Sequence, residues 1–186
     1  PNLSYYESNR VTYLFSDASR NNGLGFVLTQ QQDDGIQKMV AAGSRFLSDA
    51  ETWYAMIELE LLSIVWAVKK CRLMLEGLQN FEIITDHRPL LPILNKYTLD
   101  EIDNPRLQRL RQKLSIYNYT ASWISGKLNA AADALSRNPC NKADATDECG
   151  EDRSLQCNVA NITIYDRDDI ILEEIQRISM NDNEYI

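Results

Sequence analysis

The residues from Ser48 to Gly77 constrain the fold of this chain more than any other stretch. Ser48-Asp49-Ala50-Glu51 has the serine-to-glutamate spacing of a capping box, which predicts the start of a helix that runs to about Leu75 before Gly77 stops it. At about 100° per residue, Trp53, Met56, Ile57, Ile64, Ala67 and Cys71 share one stripe, and Leu61, Leu62 and Val65 carry apolar surface onto the flanks. A helix apolar over so much of its circumference is covered on more than one side, so it belongs inside a layered fold. Glu60 lies on that stripe, whereas Glu58 lies roughly opposite. A lone carboxylate there costs several kcal/mol unless it is paired, protonated or bound to metal. A helix edge open to water is the plainer alternative, and at this point it stays open.

The elements around this helix follow from local patterns. Residues 11–15 and 25–30 are β-branched and aromatic runs separated by turn-rich chain, and 38–43 reads as a third strand after Asp33-Asp34-Gly35. Residues 81–85 form a short buried strand that ends at Asp86-His87-Arg88-Pro89, and 90–95 reads as a short helix. Asn104-Pro105 opens a basic helix running to about Tyr117, 120–124 alternates like a last strand, and 129–136 forms a last helix. Three strands, a helix, a strand, helices, a strand and a helix predict an α/β fold with a mixed sheet and helices on its faces. Beyond Arg137 the composition shifts to Asn, Asp, Cys and Glu, which reads as a linker as far as Gln156. Residues 159–165 read as a strand or an apolar patch, and 168–180 as a short amphipathic helix. The expected organisation is a domain at 1–138 and an acidic tail at 139–186.

Charge divides at the same place. The net charge of −8 discourages a nucleic-acid partner at first sight, yet residues 1–137 hold 15 acids and 15 Lys/Arg, while the remainder holds 12 and 4. The body is neutral and leaves room for a basic face. Arg106, Arg109, Arg111 and Lys113 suggest one on the basic helix, with an ordinary solvated face as the alternative. The four cysteines match neither zinc-ribbon spacing nor a dense disulfide framework and read as reduced thiols in a cytosolic protein. A single histidine, His87, argues against an all-protein zinc site. No apolar run approaches the ~20 residues that span a bilayer, so no membrane partner is expected. The chain opens on Pro1, which predicts a piece of something longer.

Chemistry must therefore lean on carboxylates. Asp17 and Asp86 each end a predicted strand, where open α/β sheets place ligand sites, though either alone is as well explained as a turn former. Asp133 lies near the start of the last helix, where an acid also suits the helix dipole. If Asp17, Glu60, Asp86 and Asp133 converge, their combined charge calls for cations or strong pKa shifts. Two Mg²⁺ ions about 4 Å apart would answer it and stabilise an attacking water and a departing oxygen at phosphorus.

These residues stand in ordered motifs. Ser16-Asp17-Ala18-Ser19 with 23–30, Ser44-Arg45-Phe46-Leu47-Ser48, Glu58-Leu59-Glu60-Leu61-Leu62 with its continuation to Val68, Thr85-Asp86-His87-Arg88-Pro89-Leu90, Gly126-Lys127-Leu128-Asn129 and Ala132-Asp133-Ala134-Leu135-Ser136-Arg137 together resemble the ribonuclease H domain of gypsy-type long-terminal-repeat retrotransposon polyproteins. The resemblance covers roughly residues 1–138. It implies a ribonuclease H-like fold, a five-stranded mixed sheet flanked by helices, followed here by an acidic C-terminal tail. It also implies cleavage of the RNA strand of RNA/DNA hybrids, with Asp17, Glu60, Asp86 and Asp133 as catalytic metal ligands for two Mg²⁺ ions, for which Mn²⁺ substitutes. Arg106, Arg109, Arg111, Lys113, Lys127, Asn129 and His87 are the expected substrate contacts, His87 as a structural or substrate-proximal residue rather than a general base. The implied partners are a reverse transcriptase polymerase domain upstream and an integrase downstream in one polyprotein, and the implied location is a cytoplasmic virus-like particle. A non-catalytic module that tethers a polymerase to its hybrid is the competing reading.

Overall fold

The computed structural model describes residues 3–143. The expectations for 159–165, for the helix at 168–180 and for Cys149 and Cys157 lie outside the described residues.

The β-branched and aromatic runs pair into one five-stranded sheet. Its strands are β1 (Thr12–Ala18), β2 (Gly23–Gln31), β3 (Gln37–Phe46), β4 (Phe81–Thr85) and β5 (Tyr119–Trp123), in the order β3-β2-β1-β4-β5. The first three form an antiparallel meander, with Asp17 opposite Gly25 and Gly25 opposite Ser44. β4 runs parallel to β1 and β5 parallel to β4, so the sheet is mixed as expected. β1 extends through Ser16, Asp17 and Ala18, past the predicted run at 11–15, so Asp17 stands within the strand at its carboxyl end.

The long helix is interrupted. A 3-10 turn at Glu51–Trp53 comes first, then α1 (Met56–Lys70), then α2 (Arg72–Leu75). One half of the predicted capping box forms, the Ser48 N–H donating to Glu51 Oε2 at 2.9 Å, and it closes only the 3-10 turn. The Glu51 carboxylate is also gripped by Arg45, through Nη1 and Nη2 at 2.7 Å each, which ties the turn to the end of β3. Tyr54 and Ala55 are extended, and α1 starts afresh with its own first-turn acid, Glu58, accepting from the Ala55 N–H at 2.9 Å. Every residue of α1 from Glu58 to Val68 is buried, which accounts for its wide apolar surface.

The remaining helices are α3 (Leu90–Asn95), α4 (Pro105–Lys113) and α5 (Ala130–Arg137). α4 is capped by the Asn104 side chain, which accepts from the Arg106 and Leu107 N–H groups, with Pro105 at the first helical position. It packs on α1, and α1 packs on β1 and β2. Side chains alternate across a strand. Phe26 of β2 meets Trp66 of α1 edge to face at 5.2 Å, while a Cβ at the neighbouring Gly25 would lie 2.5 Å from the Ser136 nitrogen of α5. The sheet is thus a middle layer with α1 on one face and α5 on the other. At the β5 edge, Asn95 exchanges two hydrogen bonds with the Ala121 backbone, at 2.8 and 2.9 Å. At the β3 edge, the Ser4 N–H donates to Met39 O at 2.9 Å and the Phe46 N–H to Asn141 O at 2.8 Å, so residues just past 138 still pair with the sheet. Among the described residues no helix is long and apolar enough to cross a membrane.

Candidate metal centre and nucleic-acid face

The β1–β4 ladder ends at Phe15 and Ile84, and two residues further along the chain from each stands an aspartate, Asp17 still in β1 and Asp86 just past β4. There Asp17, Glu60 and Asp86 come together, each with a carboxylate oxygen within 4.8 Å of the others. The site is a product of the sheet topology, because it lies at the carboxyl ends of two adjacent parallel strands.

Asp17 is held from three sides. Gly25, its cross-strand partner, lets the backbone of α5 press onto the sheet, and the Ser136 hydroxyl donates to Asp17 Oδ2. The Ser63 hydroxyl of α1 donates to the Asp17 carbonyl at 2.8 Å, and Asn129 Nδ2 to the Ser16 carbonyl at 2.9 Å. Burial pushes the Asp17 carboxyl above its ordinary value; Ser136 opposes this, the charges of Asp86 and Asp133 add to it, and Arg137 opposes it. Glu60 is only 3% exposed and is pushed up to about 9 by burial and then by Asp17 and Asp86, against the hydrogen bond from the Ala18 backbone. Its Oε2 is buried without a hydrogen-bond partner. An all-oxygen donor set with an unanswered buried lone pair is the chemistry of a hard divalent cation site, so the residues present fit such an ion.

Asp133 stands apart from this triad. Its Oδ1 takes Arg137 Nε and Nη2, both at 2.7 Å, one turn along α5. It is nonetheless close enough for its charge to act on Asp17.

The expected substrate contacts separate into two groups. Arg109, Lys113 and Lys127 are exposed. Arg106 is instead paired with buried Glu58, with Nη1 at 3.0 Å from its Oε2, and its guanidinium lies 3.9 Å from the Tyr54 ring centroid. Burial works to raise the Glu58 pKa, but Asn104, the Ala55 N–H and Arg106 outweigh it and hold Glu58 below its ordinary value. Arg111 donates through Nε to the Ile93 carbonyl at 3.1 Å and faces a cavity of about 650 Å³ shared with Asn95, Asn118 and Tyr119. That cavity lies at the amino ends of β4 and β5, and the acids lie at the other end. Asn129 is 1% exposed, with its amide nitrogen committed to the Ser16 carbonyl of β1. His87 is half-buried, its N–H donating to Thr85 Oγ1 at 3.1 Å, and burial lowers its pKa against the pull of Asp86. It is therefore neutral at pH 7 and offers no fixed positive charge to a phosphate.

Sequence reasoning passed over Ser136, Ser63 and Gly25. A signal existed for Ser136, which follows Asp133 at helical spacing of three and so faces the same layer. None existed for Ser63 or Gly25, whose roles depend on what packs against them.

Comparison with known proteins places this geometry in a family. Residues 7–117 match the family described as the RNase H-like domain found in reverse transcriptase. The Pol polyprotein of transposon 297 from Drosophila melanogaster is 42% identical over 137 residues, 74% of this chain, and that of transposon opus from the same fly is 38% identical over 127 residues, 68% of this chain. The Tf2-3 polyprotein of Schizosaccharomyces pombe is 33% identical over 138 residues, 74% of the chain. The chain spans only 10 to 12% of the length of these relatives. Among solved structures, the N-terminal RNase H domain of a Mycobacterium tuberculosis protein aligns with a TM-score of 0.52 at 14% identity, covering 68% of this chain and 91% of that one. The foamy viral protease-reverse transcriptase in complex with RNA/DNA hybrid aligns with a TM-score of 0.52 at 18% identity, covering 66% and 16%. The structural alignments show a shared fold and the sequence matches show the family: the chain belongs to the RNase H-like domain family of reverse transcriptases, as carried by retrotransposon Pol polyproteins.

Proposed function

We propose that this domain is an endoribonuclease that hydrolyses the RNA strand of RNA/DNA hybrids during reverse transcription. The observation that carries this reading is the convergence of Asp17, Glu60 and Asp86 around a buried, unpartnered Glu60 oxygen. Three carboxylates so close repel one another and the proton on Glu60 relieves the strain, which makes the cluster a poor structural element and a good cation trap. Asp17, Glu60 and Asp86 would hold the ions, with Asp133, paired here with Arg137, as the fourth acid. Two Mg²⁺ ions, or Mn²⁺ in their place, would supply positive charge suited to activating water and steadying a departing oxygen at phosphorus.

The chain's own residues do the rest. Glu60 holds a proton in the absence of a cation and surrenders it when positive charge arrives. Ser136 and Ser63 fix the carboxylate and backbone of Asp17. Arg109, Lys113 and Lys127 meet the phosphate backbone, so the hybrid is held by charge and groove shape rather than by base sequence. The partners are an upstream polymerase domain and a downstream integrase of the same polyprotein, within a cytoplasmic virus-like particle.

Cleavage of an end-labelled RNA/DNA hybrid by the full chain, with Mg²⁺ and with EDTA, tests the reading. Mg²⁺-dependent cutting of the RNA strand is expected, at least ~100-fold weaker in Asp17→Asn or Asp86→Asn with the fold retained. Hybrid binding without cutting, or undiminished cutting by either variant, would favour the non-catalytic tether.

A further inference from the structure

Asp86 differs from the other two clustered acids in standing outside any helix or strand, immediately after β4. The ladder beside it stops, since β4 pairs with β5 up to Thr85 opposite Trp123 and the last backbone bond is from the Ile124 N–H to the Thr85 carbonyl at 3.1 Å. The Asp86 carbonyl therefore has no strand partner. In its place the Trp123 indole Nε1 donates to Asp86 O at 2.9 Å. Trp123 is 43% exposed, so burial alone does not explain a tryptophan at this position, and the Arg88 guanidinium lies over its ring 5.4 Å from the centroid. Three residues beyond Trp123 the same loop touches the other end of Asp86. A Cβ at Gly126 would stand 2.9 Å from Asp86 Oδ2, and nothing else lies nearer than 3.9 Å. Only the carboxylate tip of Asp86 stands in the way of a side chain at this position.

We propose that Trp123 and Gly126 are positioning residues for Asp86, the indole N–H anchoring its backbone and the bare glycine defining where its carboxylate rests. This rests on the reading of Asp86 as a cation ligand. The two contacts act on opposite ends of one residue, so together they set both the position of the backbone and the direction of the side chain. The fold needs neither strongly. A methyl group at Gly126 would be accommodated by rotating the Asp86 side chain, a small cost to stability but a direct displacement of a ligand oxygen. Trp123→Phe keeps the ring under Arg88 and removes only the N–H.

The test uses the full chain without substrate, with Mn²⁺ as the probe and calorimetry as the readout, beside unfolding in EDTA. Trp123→Phe and Gly126→Ala are each expected to weaken Mn²⁺ binding about tenfold, as loss of a hydrogen-bonded support of a ligand does elsewhere, while Tm in EDTA moves by only a few degrees. In hybrid cleavage at a fixed, subsaturating Mg²⁺ concentration kcat falls and KM for the hybrid stays, because Arg109, Lys113 and Lys127 are all retained. A second readout needs no variant: the Trp123 indole N–H resonance of the unaltered protein should shift on Mg²⁺ titration, following the binding curve, while that of buried Trp66 stays still. Native Mn²⁺ affinity in both variants, or a Trp123 resonance indifferent to Mg²⁺, overturns the proposal. Asp86→Asn separates the two levels of the argument. If it binds Mn²⁺ as the unaltered chain does, the reading of the site itself fails; if it binds weakly while Trp123→Phe and Gly126→Ala bind normally, only the positioning role fails.

Discussion

Replacing Glu60 with glutamine should make the cation-free protein less sensitive to rising pH. Glu60 in the folded chain is pushed up to about 9 from its ordinary 4.5. Below pH 4.5 it is protonated in both the folded and unfolded chain and has no influence on the balance. Between 4.5 and 9 the unfolded chain releases this proton and the folded chain keeps it, so stability falls as pH rises, at about 1.4 kcal/mol per pH unit. At pH 7 the accumulated loss is on the order of 3 kcal/mol, a large fraction of a typical domain's total. Glutamine has the same shape and no proton to lose, so Glu60→Gln should gain about 3 kcal/mol on the unaltered protein between pH 4.5 and pH 7. For a chain of this length that is about 6 to 12 °C in Tm. Thermal or urea unfolding of both proteins in EDTA at several pH values gives the answer, and comparing differences removes any fixed cost of the amide. Saturating Mg²⁺ should then invert the order at pH 7, because only the carboxylate gains a ligand. Parallel stability curves for the two proteins across pH 4.5 to 7 would refute the claim that Glu60 stays protonated in the folded state.

Further outcomes follow from other contacts. Gly25→Ala puts a Cβ 2.5 Å from the Ser136 nitrogen and 2.7 Å from the Ala132 carbonyl oxygen, so it should cost several kcal/mol in urea unfolding and loosen α5 from Asp17. Arg106→Ala leaves buried Glu58 with only Asn104 and the Ala55 N–H, and should destabilise by about 1 to 3 kcal/mol with hybrid affinity little changed, measured by unfolding beside filter binding. Arg109→Ala with Lys113→Ala should weaken hybrid binding alike for all sequences and flatten the logarithmic salt slope by about 1 to 2, read from titrations at several KCl concentrations.

Much of the sheet was legible because strands 81–85 and 120–124 advertise themselves by residue type within short runs, and the helix at 90–95 by its bounding proline and asparagine. The interruption at Tyr54 and Ala55 was not. Glu51 is paired with Arg45 on another element, and a capping-box spacing reads the same whether a long helix or a single turn follows. The site shows the same boundary. Glu60 could be singled out from its stripe, since position on a helix is written locally. That Arg106 is taken by Glu58, that Arg111 faces a cavity at the far end of the sheet, and that Asp133 is clasped by Arg137 are matters of partner choice, which charge and spacing alone leave undetermined.

The two outermost strands carry a consequence for how copies of this domain behave when crowded. An unpaired strand edge is a template on which another chain can crystallise a strand of its own, the first step toward ribbons and fibrils. Here the β5 edge is met by a side chain mimicking a peptide, Asn95 answering both the N–H and the carbonyl of Ala121. The β3 edge is met near each end by pieces of chain too short to offer a ladder, Leu3 beside Met39 and Asn141 beside Arg45. A primary amide that satisfies one peptide cannot propagate, because it presents no second row of donors and acceptors. Asn95→Ala would reopen that row, and a rise in light scattering at high protein concentration, without loss of Tm, would be its signature.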